Sequence, residues 1–208
     1  MKTGNLKPPL SNSPGTTRNT SVKKYITNLN NVDKMKYLIY IVISLLATIA
    51  LTIAYLEYSS SYSISASINP DAPVITHREI TINAPAKKVY EVMSDIDHWA
   101  AWHADVKDPK ITGAFGKGSS FEWETGGLTI HSTLHTVVPD QKIGWSGKAF
   151  GAFAIHNWSF SENKGQTTVK VDESMEGWLV SLMRQKFQIG LERSLQVWLK
   201  NLKTRAES

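Results

Sequence analysis

The chain has 208 residues, which is enough for one folded domain with appendages. Its net charge of +5 is unevenly placed: residues 1–36 carry seven basic side chains and one acidic one, whereas residues 58–208 carry sixteen of each. The folded part is therefore neutral, which excludes a strongly basic nucleic-acid groove, and the absence of cysteine excludes disulfides.

The first element in chain order is an apolar run, residues 37–56, that contains no charged side chain. As a helix it would be ~30 Å long, about the thickness of a bilayer's hydrocarbon core. A buried core helix would show a stronger polar stripe, so we predict a transmembrane helix. Basic residues precede it, with Lys34 and Lys36 nearest, and they predict a cytoplasmic N-terminus and a domain on the periplasmic or extracytoplasmic side.

A start at Met35 is an alternative, because the same run would then follow a short basic segment and resemble a cleaved signal peptide. The run is longer than the ~7–15 apolar residues of a usual signal core, and no clear A-x-A site follows it. We favour the uncleaved anchor, although both interpretations export the domain.

Two polar segments flank the predicted span. Their composition predicts a disordered basic cytoplasmic tail over residues 1–36 and a serine-rich linker over residues 57–73. A flexible linker of about sixteen residues spans roughly 20 Å, which would keep the domain close to the bilayer. The alternative is that Tyr58, Tyr62 and Ile64 form an edge strand or a belt at the membrane interface.

From residue 74 onward, period-two alternation predicts mainly strands. The first strand, 74–82, is followed by Asn83 and Pro85, which favour a helix start, and by a second short helix or turn near 97–103. Seven strands in hairpin order favour an antiparallel sheet. The six later strands are predicted at 106–112, 119–125, 128–138, 142–148, 152–160 and 166–175.

The chain ends in a predicted helix that begins near Trp178 and carries one apolar stripe. Such a stripe, close to 40 Å long, needs a concave partner, and the sheet is the only candidate. The sequence therefore predicts an α+β fold in which the sheet wraps around the C-terminal helix. The stripe consists of Leu179, Met183, Phe187, Leu191, Leu195, Trp198 and Leu202.

Several motifs in this order are similar to one known superfamily. They are EITINAPAKKVYEVMSDIDHWAAWH, Gly-x-x-Phe-x-Trp at 118–123, IHSTLHTVVPDQKIGW, the His156-x-Trp158-x-Phe160 strand and VDESMEGW. Together, over residues 74–205, they resemble the START-like superfamily, specifically the polyketide cyclase/dehydrase and lipid-transport group known as SRPBCC. The resemblance implies a helix-grip fold that encloses an elongated apolar cavity. Family members bind lipids, sterols, polyketides or aromatic hormones, and only a minority are enzymes.

Strand alternation indicates which polar side chains face the apolar interior: Ser132, His156 and Glu173, with His103 at the pocket mouth. Unpaired, such groups cost about 1–3 kcal/mol each, so they either satisfy one another or bind a ligand's polar head. A carboxylate beside a histidine is also a possible acid–base pair, which makes His156 and Glu173 the candidate catalytic residues. The predicted ligand-binding residues are Trp102, His103, Phe121, Trp123, Ile130, Ser132, Leu134, Trp145, Phe150, Phe153, His156, Trp158, Glu173, Met183, Phe187 and Leu191.

Motifs for metals or cofactors are not apparent. His131 and His135 are predicted to point outward, four residues and ~13 Å apart along one strand, which is too far for a shared metal. Phosphate-binding loops, dinucleotide fingerprints and Gly-x-Ser-x-Gly elbows are absent from the sequence. We therefore expect no metal and no cofactor.

Three functions remain open at this stage. The first is a non-enzymatic carrier or sensor of a hydrophobic small molecule or lipid, with the membrane as its neighbour through residues 37–56. The second is an enzyme of the cyclase or hydrolase kind that uses His156 and Glu173. The third is a protein-interaction module with a filled core. Ligand identity and oligomeric state are left open by the sequence.

Overall fold

A computed structural model describes residues 17–62 and 64–208 and divides the chain into two units, with the boundary after Ala54. Helix α1, Thr17–Ser59, contains the predicted span. Within the described residues, Asp33–Ser59 is the one helical segment long and apolar enough to cross a membrane, with 27 residues and a mean hydropathy of 2.4.

Helix α1 also corrects part of the predicted tail. Residues 17–36 are helical where the composition predicted disorder, whereas residues 1–16 lie outside the described part of the chain. The physical reason is cooperativity, because extending an existing helix costs far less than nucleating one. The apolar run supplies the nucleus, and the polar residues before it continue the helix.

The folded unit contains one antiparallel sheet of seven strands in the order β1-β7-β6-β5-β4-β3-β2. Strands β2 to β7 follow the predicted hairpin order. Strand β1 forms one edge of the sheet and pairs with β7, the last strand in the sequence. The strands are β1 Val74–Ile82, β2 Lys107–Thr112, β3 Ser120–Thr125, β4 Leu128–Val138, β5 Lys142–Ala149, β6 Ala152–Asn163 and β7 Gln166–Glu176.

Four helical segments accompany the sheet. Helix α2, Ala86–Ser94, and the 3-10 helix Ile96–Ala101 connect β1 to β2. The predicted C-terminal helix is interrupted at Met183, so it forms α3, Trp178–Leu182, and α4, Arg184–Glu207. Helix α4 buries its apolar side against the sheet, and we call the sheet face that it covers the inner face.

The opposite, outer face of the sheet is partly covered by residues 57–62 and 64–72, part of the segment that was predicted to be a flexible linker. The Asn69 amide donates to Ser174 Oγ at 3.1 Å, and the Tyr62 ring stacks on Phe153 with centroids 4.9 Å apart. Polar composition indicated flexibility, but the backbone groups of this segment find partners on the sheet. The linker is therefore a packed strap in this structure.

Candidate ligand-binding cavity

A cavity of about 490 Å³ lies between the inner face of the sheet and helices α3 and α4. This volume falls within the ~300–1,000 Å³ typical of small-molecule sites. Side chains from β3 to β7 form one wall, and Leu179, Met183, Phe187 and Leu191 form the other. The lining is mostly apolar, so it suits a hydrophobic molecule.

The cavity exists because small residues occupy consecutive inner positions of the β5–β6 hairpin. These positions are Gly147, Ala149, Ala152 and Ala154, and all four residues line the cavity. Further along the same strands, Trp145 and its neighbours on the inner face are large and aromatic. The change from small to large side chains along one hairpin therefore opens one half of the space under α4 and closes the other.

The closed half is centred on the buried ring of Trp99, from the 3-10 helix. Its centroid lies 5.5 Å from Phe121, 6.0 Å from Trp123 and 5.1 Å from Trp198 of α4. These rings meet edge to face, the arrangement that aromatic quadrupoles favour. The indole nitrogen of Trp99 donates to the Met93 carbonyl at 2.9 Å, so the ring is also satisfied as a donor.

A histidine–carboxylate pair lies on the cavity wall. Nδ1 of His156 is 2.7 Å from Oε2 of Glu173, and the residues are only 9% and 3% exposed. They are directly opposite in the β6–β7 register, which explains why they meet. The Trp145 ring stacks on the imidazole, with centroids 4.8 Å apart and planes 15° apart.

The pair fixes the orientation of the His156 ring. An ionised Glu173 only accepts hydrogen bonds, so Nδ1 is the donor, and in the neutral ring Nε2 carries the lone pair. A methyl group at Gly147 would lie 4.0 Å from Nε2 and 3.2 Å from Ser132 Oγ. That methyl group would also crowd Cγ2 of Ile130 at 2.9 Å, so glycine at this position keeps the cavity wall beside the imidazole open.

Nine of the sixteen residues predicted to bind a ligand line this cavity, so the structure brings them together. They come from five strands, from helix α4, and from Met183 at the break between α3 and α4. The nine are Trp123, Ile130, Trp145, His156, Trp158, Glu173, Met183, Phe187 and Leu191.

Five predicted residues belong instead to the packed core around Trp99 and α4. Ser132 accepts a hydrogen bond from Nε1 of Trp123 at 3.1 Å, so its hydroxyl is used within the protein. Phe121 and Leu134 are fully packed, and Trp102 lies against Trp198. The fifth residue is His103, whose ring packs against Trp198.

Phe150 and Phe153 were predicted to line the cavity, and the structure places both outside it. Phe153 lies on the outer face because β5–β6 pairing alternates it with the inner Ala152 and Ala154. Phe150 lies in the turn before β6, where it is 48% exposed and meets Trp178 edge to face. Their aromatic character alone suggested an inward position. Strand alternation places Phe153 on the outer face, and the turn places Phe150 at the surface.

His103 was predicted at the pocket mouth but is buried behind Trp198, with ring centroids 4.2 Å apart. It is 2% exposed, and neither ring nitrogen has a protein partner. Burial lowers the pKa of His103, so the neutral ring is favoured. The group is therefore part of the core packing, and it does not face the cavity.

His135 lies on the outer face as predicted, but it is buried there. A bulge in the β4–β5 pairing between Leu134 and Thr136 sets its ring against Gly144, and its Nδ1 lies 2.9 Å from Thr136 Oγ1. Burial lowers the pKa of His135 as well. The bulge interrupts simple alternation, which is why the sequence pattern did not predict the burial.

Several lining residues were missed by the sequence interpretation. The small residues Gly147, Ala149, Ala152 and Ala154 form no pattern of large apolar side chains, so they were not recognised as lining residues. Strand alternation nevertheless places them on the same face of the sheet as Trp145, and this was a usable signal. Lys186 also lines the cavity; it was interpreted as part of the solvated face of the helix. The break at Met183 was not predicted, and it is the break that starts α4 just before Lys186.

Within residues 17–62 and 64–208, no group of three histidine or acidic side chains has the arrangement needed to hold a metal ion. The chemistry that the described site offers is therefore that of an apolar chamber with one histidine–carboxylate pair. It can enclose an apolar body and hydrogen-bond one polar group.

Comparison with known proteins agrees with this architecture. The profile of the family described as polyketide cyclase/dehydrase and lipid transport matches residues 73–207. Among curated proteins, no sequence matches.

Solved structures show the same fold at low sequence identity. A hypothetical protein from Helicobacter pylori is 16% identical with a TM-score of 0.61, covering 71% of this chain and 98% of that one. The Zhui aromatase/cyclase from Streptomyces sp. R1128 is 17% identical with a TM-score of 0.56, covering 64% and 93%. A START superfamily protein from Mycobacterium smegmatis is 16% identical with a TM-score of 0.52, covering 64% and 97%.

Proposed function

Because the chain belongs to the polyketide cyclase/dehydrase and lipid-transport family, we propose that it is a membrane-anchored carrier or sensor of a hydrophobic small molecule or lipid. The observation that carries this proposal is the cavity of about 490 Å³, whose wall is apolar apart from a few polar groups. A cavity of this size also argues against the alternative of an interaction module with a filled core.

The ligand would lie with its apolar body between the small residues of the β5–β6 hairpin and the α4 side chains Phe187 and Leu191. Its polar group would face Nε2 of His156, which the Glu173 carboxylate orients from the opposite side of the ring. A hydroxyl group fits this position, since it donates to the lone pair of a neutral imidazole.

The anchor in this proposal is residues 37–56. Basic residues before the span support a cytoplasmic N-terminus, which would place the folded unit in the periplasm or another extracytoplasmic space. A carrier on that side could take its ligand from the adjacent bilayer. Zero cysteines is compatible with an oxidising compartment.

The test is to purify the full chain from its native membrane and identify bound molecules by native mass spectrometry and lipid extraction. An Ala154→Leu variant narrows the cavity and is expected to lose the co-purified molecule. The matched control is Ala114→Leu, an equal change at an exposed loop position. A wild-type chain that is empty and also takes up no fatty acid, isoprenoid or sterol would contradict the proposal.

A second candidate function is an enzyme of the cyclase or hydrolase kind, favoured by the 2.7 Å contact between His156 and Glu173. In that function Nε2 of His156 takes a proton from the ligand, and Glu173 stabilises the imidazolium that forms. His156→Ala would then abolish turnover while binding is largely kept. Full activity of that variant on a substrate found by ligand identification would remove the assignment.

A further inference from the structure

One end of the cavity is bordered by apolar side chains that face outward. Leu182 of α3 is 75% exposed, and Phe150 of the β5–β6 turn is 48% exposed. Trp178 joins them, with its ring 5.4 Å from that of Phe150. We call Phe150, Trp178 and Leu182 the apolar rim. Leu179, next to the rim in sequence, lines the cavity itself.

The residue that holds this rim is Glu57. Its Oε2 accepts hydrogen bonds from the backbone amide of Gly151 at 3.0 Å and from Nε1 of Trp178 at 3.1 Å. Its Oε1 lies 3.9 Å from Nζ of Lys148. One carboxylate thus connects the β5–β6 turn to the start of α3, and it contacts the rim directly at Trp178.

Gly151 is built for this close contact. Its φ of +66° favours glycine, and a methyl group there would come within 2.6 Å of Leu179 Cβ. The turn can therefore approach α3 closely enough for both to share the carboxylate of Glu57. This is a specific arrangement and not a chance surface contact of a long flexible side chain.

The position of Glu57 in the sequence relates this contact to the predicted membrane span. It is the first residue after the apolar run that ends at Leu56. Successive Cα atoms are ~3.8 Å apart, so if the run spans a bilayer, Glu57 lies at the level of the lipid headgroups. Any side chain bonded to its carboxylate lies at that level too.

We propose that the apolar rim inserts into the surface of the bilayer, so that the cavity opens directly to lipid. The inference rests on the proposed anchoring by residues 37–56. Tryptophan is enriched at the membrane interface, where Trp178 would then lie, and Phe150 and Leu182 would reach the acyl chains. Exposed Tyr55 and Tyr58 on either side of Glu57 have the same preference.

The charges near the rim fit an anionic lipid surface. Lys148 is half exposed beside Glu57, and Lys186 lies on the wall of the cavity and is exposed. A basic group near an anionic bilayer is attracted to the lipid surface. Glu57 is in this arrangement a positioning residue, since it directs the rim and touches no ligand. A lipid-like ligand would then pass between leaflet and cavity without crossing water.

The absence of cysteine from the chain permits a direct test with single spin labels. Leu182→Cys carries the label on the rim, and Lys164→Cys carries it on the β6–β7 turn, at the other end of β6. Both full-length variants are reconstituted in vesicles of phosphatidylcholine and phosphatidylglycerol. The accessibility of each spin label to oxygen and to a water-soluble nickel complex then measures how deeply that label lies in the bilayer. We expect the label at 182 to favour oxygen and the label at 164 to favour the nickel complex.

Glu57→Ala in the Leu182→Cys background tests the positioning role. We expect the label at 182 to shift toward the nickel complex while circular dichroism stays that of the folded chain. Equal water exposure of the labels at 182 and 164 would overturn rim insertion. A label that stays inserted in the Glu57→Ala variant would overturn the role of Glu57. Neither result depends on whether a ligand co-purifies with the chain. If the proposed binding function fails but the rim proposal holds, the label at 182 will be inserted in the bilayer while the cavity is empty.

Discussion

The two halves of the space under α4 are built from the same strands and the same helix, yet one is filled and the other is open. In the filled half, Trp99 packs against Trp198, and large aromatic rings occupy the inner face. In the open half, the inner positions carry Gly147 and alanines. The difference indicates a division of labour along one hairpin, in which stability is concentrated in the filled half and the open half is available for binding.

This division predicts that the largest loss of stability comes from the filled half. Trp99→Ala removes a fully buried ring with at least four aromatic neighbours, so we expect the free energy of unfolding to fall by about 3–5 kcal/mol. Urea unfolding of the full chain in detergent, followed by circular dichroism, measures this change.

Phe150→Ala is the control for that variant, because it also removes an aromatic ring but from an exposed position. We expect a change within about 0.5 kcal/mol. Equal losses in the two variants would show that the filled half is not the main source of stability, and the comparison between the halves would fail.

The next largest effect is expected at the border of the open half, where His156 meets Glu173. Glu173→Ala leaves the buried Nδ1 of His156 without its acceptor, which costs about 1–3 kcal/mol. The chain supplies a matched control, since Glu122 lies at the same 2.7 Å from His131 but on the exposed surface. Glu122→Ala should cost less than about 1 kcal/mol.

Thermal or urea unfolding of both glutamate variants measures the two losses in free energy of unfolding and compares them. Similar small losses for the two would mean that the His156–Glu173 pair is relaxed by water in the cavity. Its role in fixing the orientation of the imidazole would then be lost, and so would the case for a polar ligand group at Nε2.

How far the sequence predicts this molecule depends on the kind of feature. Strand limits and the contact of His156 with Glu173 were predictable, because period two and hairpin order determine both face and neighbour. The seven-stranded sheet and the family resemblance are confirmed. Which aromatic residues fill the core and which border the cavity was not predictable, since that depends on the packing of side chains distant in sequence.

Other failures have local causes. Phe153 was misplaced by a parity error across the β5–β6 turn, and the burial of His135 depends on a bulge that alternation does not reveal. The strap over residues 57–62 and 64–72 was predicted as flexible because its serines suggest no core contact. Part of its hydrogen bonding uses backbone groups, such as the Asn69 amide and the Ala66 carbonyl, which every sequence possesses, so composition could not have indicated those contacts.

The two buried histidines, His103 in the filled half and His135 on the outer face of the sheet, make the folded unit sensitive to acid. Burial lowers the pKa of His103 and of His135 from the ordinary value of 6.5. The unfolded chain therefore binds protons first as the pH falls below about 6.5, and the free energy of unfolding decreases until the folded-state pKa values are passed. Urea unfolding between pH 7.5 and pH 5 should show this decline.

His103→Leu provides the control for the acid effect. It removes one of the two buried histidines whose pKa is lowered, so the decline in the free energy of unfolding between pH 7.5 and pH 5 should become shallower than in the wild type. Charged groups near His103 do not reverse the direction of its pKa shift. The Asp105 carboxylate raises the pKa of His103, but by less than burial lowers it. A free energy of unfolding that rises below pH 6.5 would contradict the burial of these two rings in their neutral form.

A modest change in stability is expected at the position where the largest change in ligand binding is expected. Ala154→Leu adds three carbons to the wall of the open half, where space exists, so we expect the free energy of unfolding to stay within about 1.5 kcal/mol of wild type. Binding of a fluorescent fatty alcohol should weaken at least about tenfold, which corresponds to 1.4 kcal/mol. If Ala154→Leu instead destabilises as much as Trp99→Ala while the alcohol still binds, the open half is packing space and the ligand lies elsewhere. A stable variant that no longer binds would establish that the two halves separate stability from recognition, because one side chain then changes recognition alone.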